Sequence, residues 1–149
     1  MAKKISDLKN WHVFLILFLL GWLAYINVVN GEFIWDETTL IVKNEYTHSF
    51  KYFVKWFTDD SIAGSGLTHG NLYRPFSTAI YATIYSIFEL STIPYHIINI
   101  LLHIGNSFLV YLLLKEFNFK KYASLLAAAV FLLHPVQTES VSYVAGLPD

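Results

Sequence analysis

PYHIINILLHIGNSFLVYLLL, residues 94–114, carries no Asp, Glu, Lys or Arg over 21 positions. An uncharged apolar stretch of that length is the signature of a bilayer-crossing helix, since the hydrocarbon core takes about 20 residues. Towards the N-terminus lies a second such run, WHVFLILFLLGWLAYINVV, residues 11–29. At about 1.5 Å per residue it spans roughly 28 Å, close to the hydrocarbon thickness. Lys3, Lys4 and Lys9 precede it. A cleavable signal has an apolar core of about 7–15 residues and a small-residue cleavage site. This run is longer and leads into Asn27-Val28-Val29-Asn30-Gly31-Glu32 with no A-x-A pattern, so it reads as a retained helix. Towards the C-terminus, a basic turn over residues 115–122 holds Lys115, Lys120 and Lys121 and leads into an Ala/Leu-rich run at 123–134. That run is roughly 18 Å long as a helix. Snorkelling lysines extend it at its start, and Pro135 breaks or kinks it. The fold class that follows is all-α integral membrane.

Composition agrees. Of 149 residues, 55% are hydrophobic and 14% charged, where a soluble domain carries about 25% charged. The net charge of −1 excludes a basic nucleic-acid footprint, so no nucleic-acid partner is expected. With no cysteine, disulfides and thiolate metal sites are ruled out. The chain shows neither an internal repeat nor a low-complexity tract.

Topology turns on residues 73–90. Their uncharged part, 76–88, is only about 20 Å long as a helix, too short to span comfortably. If 73–90 crossed, the basic turn would lie opposite Lys3, Lys4 and Lys9, against the positive-inside rule. The expected order is therefore a cytoplasmic N-terminus (1–10), a first span (11–29), an outer loop (30–93), a second span (94–114), a cytoplasmic basic turn (115–122), a short third span (123–134) and an outer segment (135–149). Residues 73–90 become a helix in or near the outer interface. Within the loop, Phe50, Phe53, Val54 and Phe57 repeat at i, i+3, i+4, i+7 and predict an amphipathic helix over about 47–57, lying on the bilayer surface or packed on the protein. The glycines at 64, 66 and 70 mark residues 61–71 as a flexible connection.

Four groups of residues are candidates for chemistry. Asp36 and Glu37 follow the first span closely and are flanked by aromatics. A partly desolvated carboxylate there has raised proton affinity and suits a general base, although an acidic pair is equally a solvated surface feature. In Tyr73-Arg74-Pro75 the proline suits a helix start, while Arg74 is placed to pair with Asp36 or to grip a phosphate. His96, Asn99, His103 and Asn106, spaced 3, 4, 3, share one face of the second span and must find partners inside a bundle or wet cavity. Interhelical hydrogen bonding and a substrate or metal site both fit that stripe. Two histidines about 10 Å apart along the axis do not share one small ion. Lastly, His134 and Glu139 sit at the outer end of the third span, as an exposed cap on a kinked helix or as groups converging with Asp36 and Arg74.

Taken in order, Phe33-x-Trp35-Asp36-Glu37-x3-Ile41-x2-Asn44, Tyr73-Arg74-Pro75, Tyr95-His96-x2-Asn99-x3-His103 and His134-Pro135-Val136-Gln137-Thr138-Glu139-Ser140-Val141 form a pattern. It resembles the N-terminal part of the transmembrane-and-tetratricopeptide-repeat family of O-mannosyltransferase-like proteins, over nearly the whole chain. That family is similar to the protein O-mannosyltransferases of the class C glycosyltransferase fold. The resemblance implies a bundle of ten or more helices with interfacial helices in its first outer loop, and a repeat domain beyond residue 149, so that these residues alone would be inactive. It implies a glycosyltransferase of the hexosyltransferase type, moving a sugar such as mannose from a polyprenyl-phosphate carrier to an acceptor hydroxyl on protein Ser/Thr. Asp36, with Glu37 beside it, matches the acidic motif of the base. Arg74, His134 and Glu139 match positions expected at the lipid phosphate or acidic site. No cofactor is demanded, and a divalent metal is left open. Membrane lipid is an implied partner, and the inner membrane of a bacterium or the endoplasmic reticulum membrane the implied location. A non-catalytic scaffold or degenerate family member, and a transferase to a lipid or glycan, are the rival readings. The chain departs from the family pattern in Asp36-Glu37, where two aspartates are common, and in Gly146-Leu147-Pro148-Asp149, where Gly-Arg commonly precedes the acid.

Overall fold

A computed structural model of the chain describes residues 8–67, 70 and 72–147. Among them the structure is all-helical with no strand. Lys3, Lys4, Thr68, His69, Asn71, Pro148 and Asp149 lie outside the described residues.

The first apolar run forms helix α1, Asn10–Tyr25, continued by a 3-10 turn, Ile26–Val28. It is apolar on every side, yet only Val13, Leu17, Gly21 and Tyr25 are buried. This i, i+4 stripe is the face turned to the other helices. Gly21 is required there, because a Cβ would lie 2.5 Å from Cγ1 of Ile104. Leu19 and Leu23 on the opposite side stay exposed, which suits apolar surroundings, lipid tails or further helices, rather than water.

After the loop region, Pro75–Phe88 and Thr92–Glu116 form two long helices. They are α3 and α4, because a single helical turn at Lys55–Thr58 precedes them as α2. Arg74 is the residue before α3, with Pro75 in its first turn, where the missing N–H costs nothing. Helix α4 ends at Glu116, and Asn118 takes a left-handed φ of 60° that reverses the chain into α5, Lys121–Leu133. The proline at 135 forces His134 into an extended conformation and terminates α5. A short α6, Gln137–Ser142, and a 3-10 turn, Val144–Gly146, follow.

Helices α1, α4 and α5 pack against one another around Val13, Leu17, Tyr25, Ile100, Ile104, Ala128 and Leu132. Two helical stretches, Asn10–Val28 and Thr92–Glu116, are long and apolar enough to cross a membrane, while Lys121–Leu133 is shorter. At one end of the bundle Lys115 Nζ and the Tyr111 hydroxyl both donate to Asn10 Oδ1, at 3.1 and 3.3 Å, and Lys121 Nζ donates to the Leu8 carbonyl. The basic residues flanking the three helices are thus gathered at that end. The loop between α1 and α4 covers the other, on a second core of Leu40, Ile41, Tyr81, Ile84, Tyr95, Val144 and Ala145.

Two expectations about this loop are corrected. The amphipathic helix over 47–57 is not continuous. It is divided into a 3-10 turn at Phe50–Tyr52 and the single turn of α2. Thr47 Oγ1 donates to the carbonyls of Ile41 and Asn44, and Ser49 Oγ accepts from the Lys51 amide. Such side-chain bonds compete with helix propagation. Trp56 is the residue turned inward, its indole N–H donating to the Tyr46 carbonyl at 2.8 Å; Phe50, Phe53, Val54 and Phe57 stay exposed. Nor is the glycine-containing stretch a free linker at its ends. The Asp60 carboxylate accepts from the Ile62 and Leu72 amides, both at 3.0 Å, and the Ser61 amide donates to the Leu72 carbonyl at 2.7 Å. Buried Asn44 ties the loop together, donating to the Leu40 and Ser61 carbonyls and accepting from the Tyr46 amide.

Candidate functional site

At the loop-covered end of the bundle, the candidate residues meet around the turn at 143–146. Glu37 is 1% exposed. One carboxylate oxygen accepts from the Ile34 amide at 2.8 Å, and the other from the amides of Val144 and of Ala145, the latter at 3.3 Å. Charged acceptors make stronger bonds to amides than neutral ones do, so Glu37 fastens the loop after α1 to a turn more than 100 residues away. Asp36, next in the chain, is exposed. Its backbone amide donates to the Tyr143 hydroxyl at 3.1 Å. Burial pushes the Tyr143 phenol above its ordinary value, the Asp36 and Glu37 charges adding to the rise. By accepting from that amide, the hydroxyl holds the Asp36 backbone in place.

The remaining grips on this turn come from three more residues. Tyr81 on α3 donates to the Val144 carbonyl at 3.0 Å, and Asn99 on α4 to the Tyr143 carbonyl at 3.0 Å. Arg74, half-buried at the head of α3, donates from Nη1 to the Ala145 carbonyl at 3.1 Å, while its backbone amide donates to Ser61 Oγ at 2.7 Å. Asp36 and Arg74 are therefore both seated against one short turn. Each adjoins an apolar cavity of about 340 Å³. The Asp36 cavity is lined by Leu40, Ile62 and Leu72, and that of Arg74 by Phe76, Ile80 and Leu102. The latter shares its lining with a further hollow of about 430 Å³ between α3 and α4, so an apolar groove leads away from the guanidinium.

The polar stripe of α4 is only partly drawn into this site. His96, Asn99 and His103 are buried, and Asn106 is exposed. His103 Nε2 is 3.1 Å from the Leu132 carbonyl, which also accepts from the Tyr25 hydroxyl at 2.9 Å. That carbonyl lies in the last turn of α5, where no intrahelical donor exists. Here interhelical hydrogen bonding is what the stripe does. His96 packs on Gly31, where a Cβ would lie 2.9 Å from Nε2. His134 and Glu139 are exposed. The imidazole of His134 accepts from the Val136 amide at 3.2 Å and caps the turn into α6. Among the described residues no group of three or more His, Cys, Asp or Glu is gathered as for a metal.

Protein O-mannosyl-transferase F38B6.6 of Caenorhabditis elegans is 32% identical to the chain over 140 residues, covering 89% of it and 20% of the relative. Protein O-mannosyl-transferase TMTC2 of Mus musculus is 29% identical over 140 residues, covering 87% of the chain and 16% of the relative. The chain is similar to part of these protein O-mannosyl-transferases. It spans a fifth or less of the length of these curated relatives. No family model and no solved structure matches it.

What the sequence did not signal is the turn that organises the site. Tyr143, Val144 and Ala145 carry no motif chemistry, and Tyr81 is one more aromatic in an apolar run. A buried acid needs partners, but nothing in Asp36-Glu37 indicates which of the two is turned inward.

Proposed function

We propose that the chain forms part of a membrane glycosyltransferase that moves a hexose from a polyprenyl-phosphate carrier to a protein hydroxyl. One observation carries this reading: an exposed carboxylate, Asp36, and a guanidinium, Arg74, held against the same turn with an apolar groove running from the arginine. The relatives' names supply the reaction class and the protein acceptor.

In the proposed reaction Asp36 takes the proton of the acceptor hydroxyl. The oxygen attacks the anomeric carbon, the bond from that carbon to the phosphate oxygen breaks, and lipid phosphate leaves with the electron pair. Arg74 offsets the charge that develops on the leaving phosphate, and the α3–α4 groove takes the first isoprene units. Glu37 has a positioning role, because its carboxylate oxygens are already engaged by backbone amides. His134 and Glu139 are exposed ahead of the turn, and the proposed reaction assigns them no step.

Asp36→Asn in the full-length protein tests the base. Transfer from a polyprenyl-phosphate sugar is expected to fall about 10²- to 10⁴-fold, with donor binding kept. Undiminished turnover in a folded variant eliminates Asp36 as base.

A further inference from the structure

We propose that Trp35 is the sugar platform of this site, its indole stacking on the C–H face of the hexose brought to Asp36. The inference rests on the transferase reading and adds to it a residue that determines donor specificity.

Trp35 is 82% exposed, although tryptophan is among the side chains with most to gain from burial. Its backbone φ is +46°, in the left-handed region that Gly, Asn and Asp tolerate and bulky residues avoid. Strain of this kind persists only where the surroundings over-determine it, and it gathers at functional sites. Here the surroundings do so. The Glu37 amide donates to the Ile34 carbonyl at 3.0 Å, the Thr38 amide to the Trp35 carbonyl at 3.2 Å, and the Ile34 amide to the Glu37 carboxylate at 2.8 Å. On the other flank the Asp36 amide is fixed to the Tyr143 hydroxyl, and the Tyr143 ring stands edge-on to the indole, centroids 6.3 Å apart at 67°. The turn thus presents a large aromatic face at a fixed angle, one residue from the proposed base, with little burial in return. The apolar face of a pyranose offers polarised C–H groups to the negative face of an aromatic ring, and a preorganised ring loses little freedom on binding.

A lipid-anchoring tryptophan would share the exposure but would need only apolar bulk. The test uses the full-length protein carrying Asp36→Asn, so that donor is not consumed. Thermal stabilisation by farnesyl-phosphoryl mannose and farnesyl-phosphoryl glucose is compared with that by farnesyl phosphate. A sugar-bearing ester is expected to stabilise beyond farnesyl phosphate, and Trp35→Ala and Trp35→Leu to lose that increment while keeping the response to farnesyl phosphate. Trp35→Phe is expected to retain it. In the active protein, Trp35→Ala should raise the donor KM about three- to tenfold with little change in kcat. Trp35→Gly, which relieves the backbone strain, should fold at least as well and show the same KM defect. Retention of the sugar increment in Trp35→Ala, its restoration by Leu as fully as by Phe, or equal stabilisation of the Trp35 protein with and without sugar overturns the platform and leaves the lipid-phosphate site standing. Absence of any shift with farnesyl phosphate and both sugar esters overturns the transferase reading and the platform with it.

Discussion

Adjacent acids can have opposite fates, and Asp36 and Glu37 divide in this way because a turn gives successive residues different directions. Glu37 is enclosed and satisfied by three amides, whereas Asp36 keeps its carboxylate at the surface. Removing the buried acceptor strands the amides of Val144 and Ala145, each worth about 1–3 kcal/mol when left unpaired. Glu37→Ala is therefore expected to lower stability by about 2–4 kcal/mol, read as thermal unfolding in detergent. Asp36→Ala at the exposed neighbour should leave it nearly unchanged. Equal losses at the two positions would contradict this division of roles.

Among the elements, α5 is the most dependent on its neighbours. It is only 13 residues long, and its end is fixed by a proline that leaves the last-turn carbonyls without helical donors. Tyr25 of α1 and His103 of α4 both reach the Leu132 carbonyl and so bind three helices at one atom. Either donor alone keeps that oxygen satisfied. Tyr25→Phe and His103→Leu are each expected to cost under about 1 kcal/mol, and the double variant more than their sum; a double-mutant cycle followed by thermal unfolding reads the coupling. Strict additivity would mean that the shared carbonyl does not link the helices. The loop elements obey the opposite rule. A stripe at helical spacing, Phe50 to Phe57, failed to give one helix because Thr47 and Ser49 bond locally and Trp56 is anchored to the Tyr46 carbonyl.

For the whole molecule, the two ends of the bundle differ in charge and in chemistry. Lys9, Lys115, Lys120 and Lys121 flank one end, while Asp36, Arg74 and the 143–146 turn occupy the other. On the positive-inside rule, the lysine end of such a bundle is expected in the cytoplasm. These 149 residues contain no cysteine, so a single cysteine placed among them, with any elsewhere in the protein replaced, reports one site. Lys51→Cys is expected to react with a membrane-impermeant maleimide added from outside, and Lys120→Cys only after permeabilisation. The reverse pattern would put the proposed site on the wrong side of the membrane.

The sequence by itself determined the helical membrane-type class and the positions of α1, α3, α4 and α5, because length and apolarity of a run depend on neighbours in the chain. It also marked Asp36 and Arg74 as candidates, since their residue types limit what they can do. Only the tertiary structure decided that Glu37 is turned inward, that His103 serves a helix end, and that Tyr143, Val144 and Ala145 form the hub on which acid and arginine meet. Those roles are pairings across 107 residues or across helices. No local propensity encodes which buried amide a given carboxylate will satisfy; packing of the whole chain selects it.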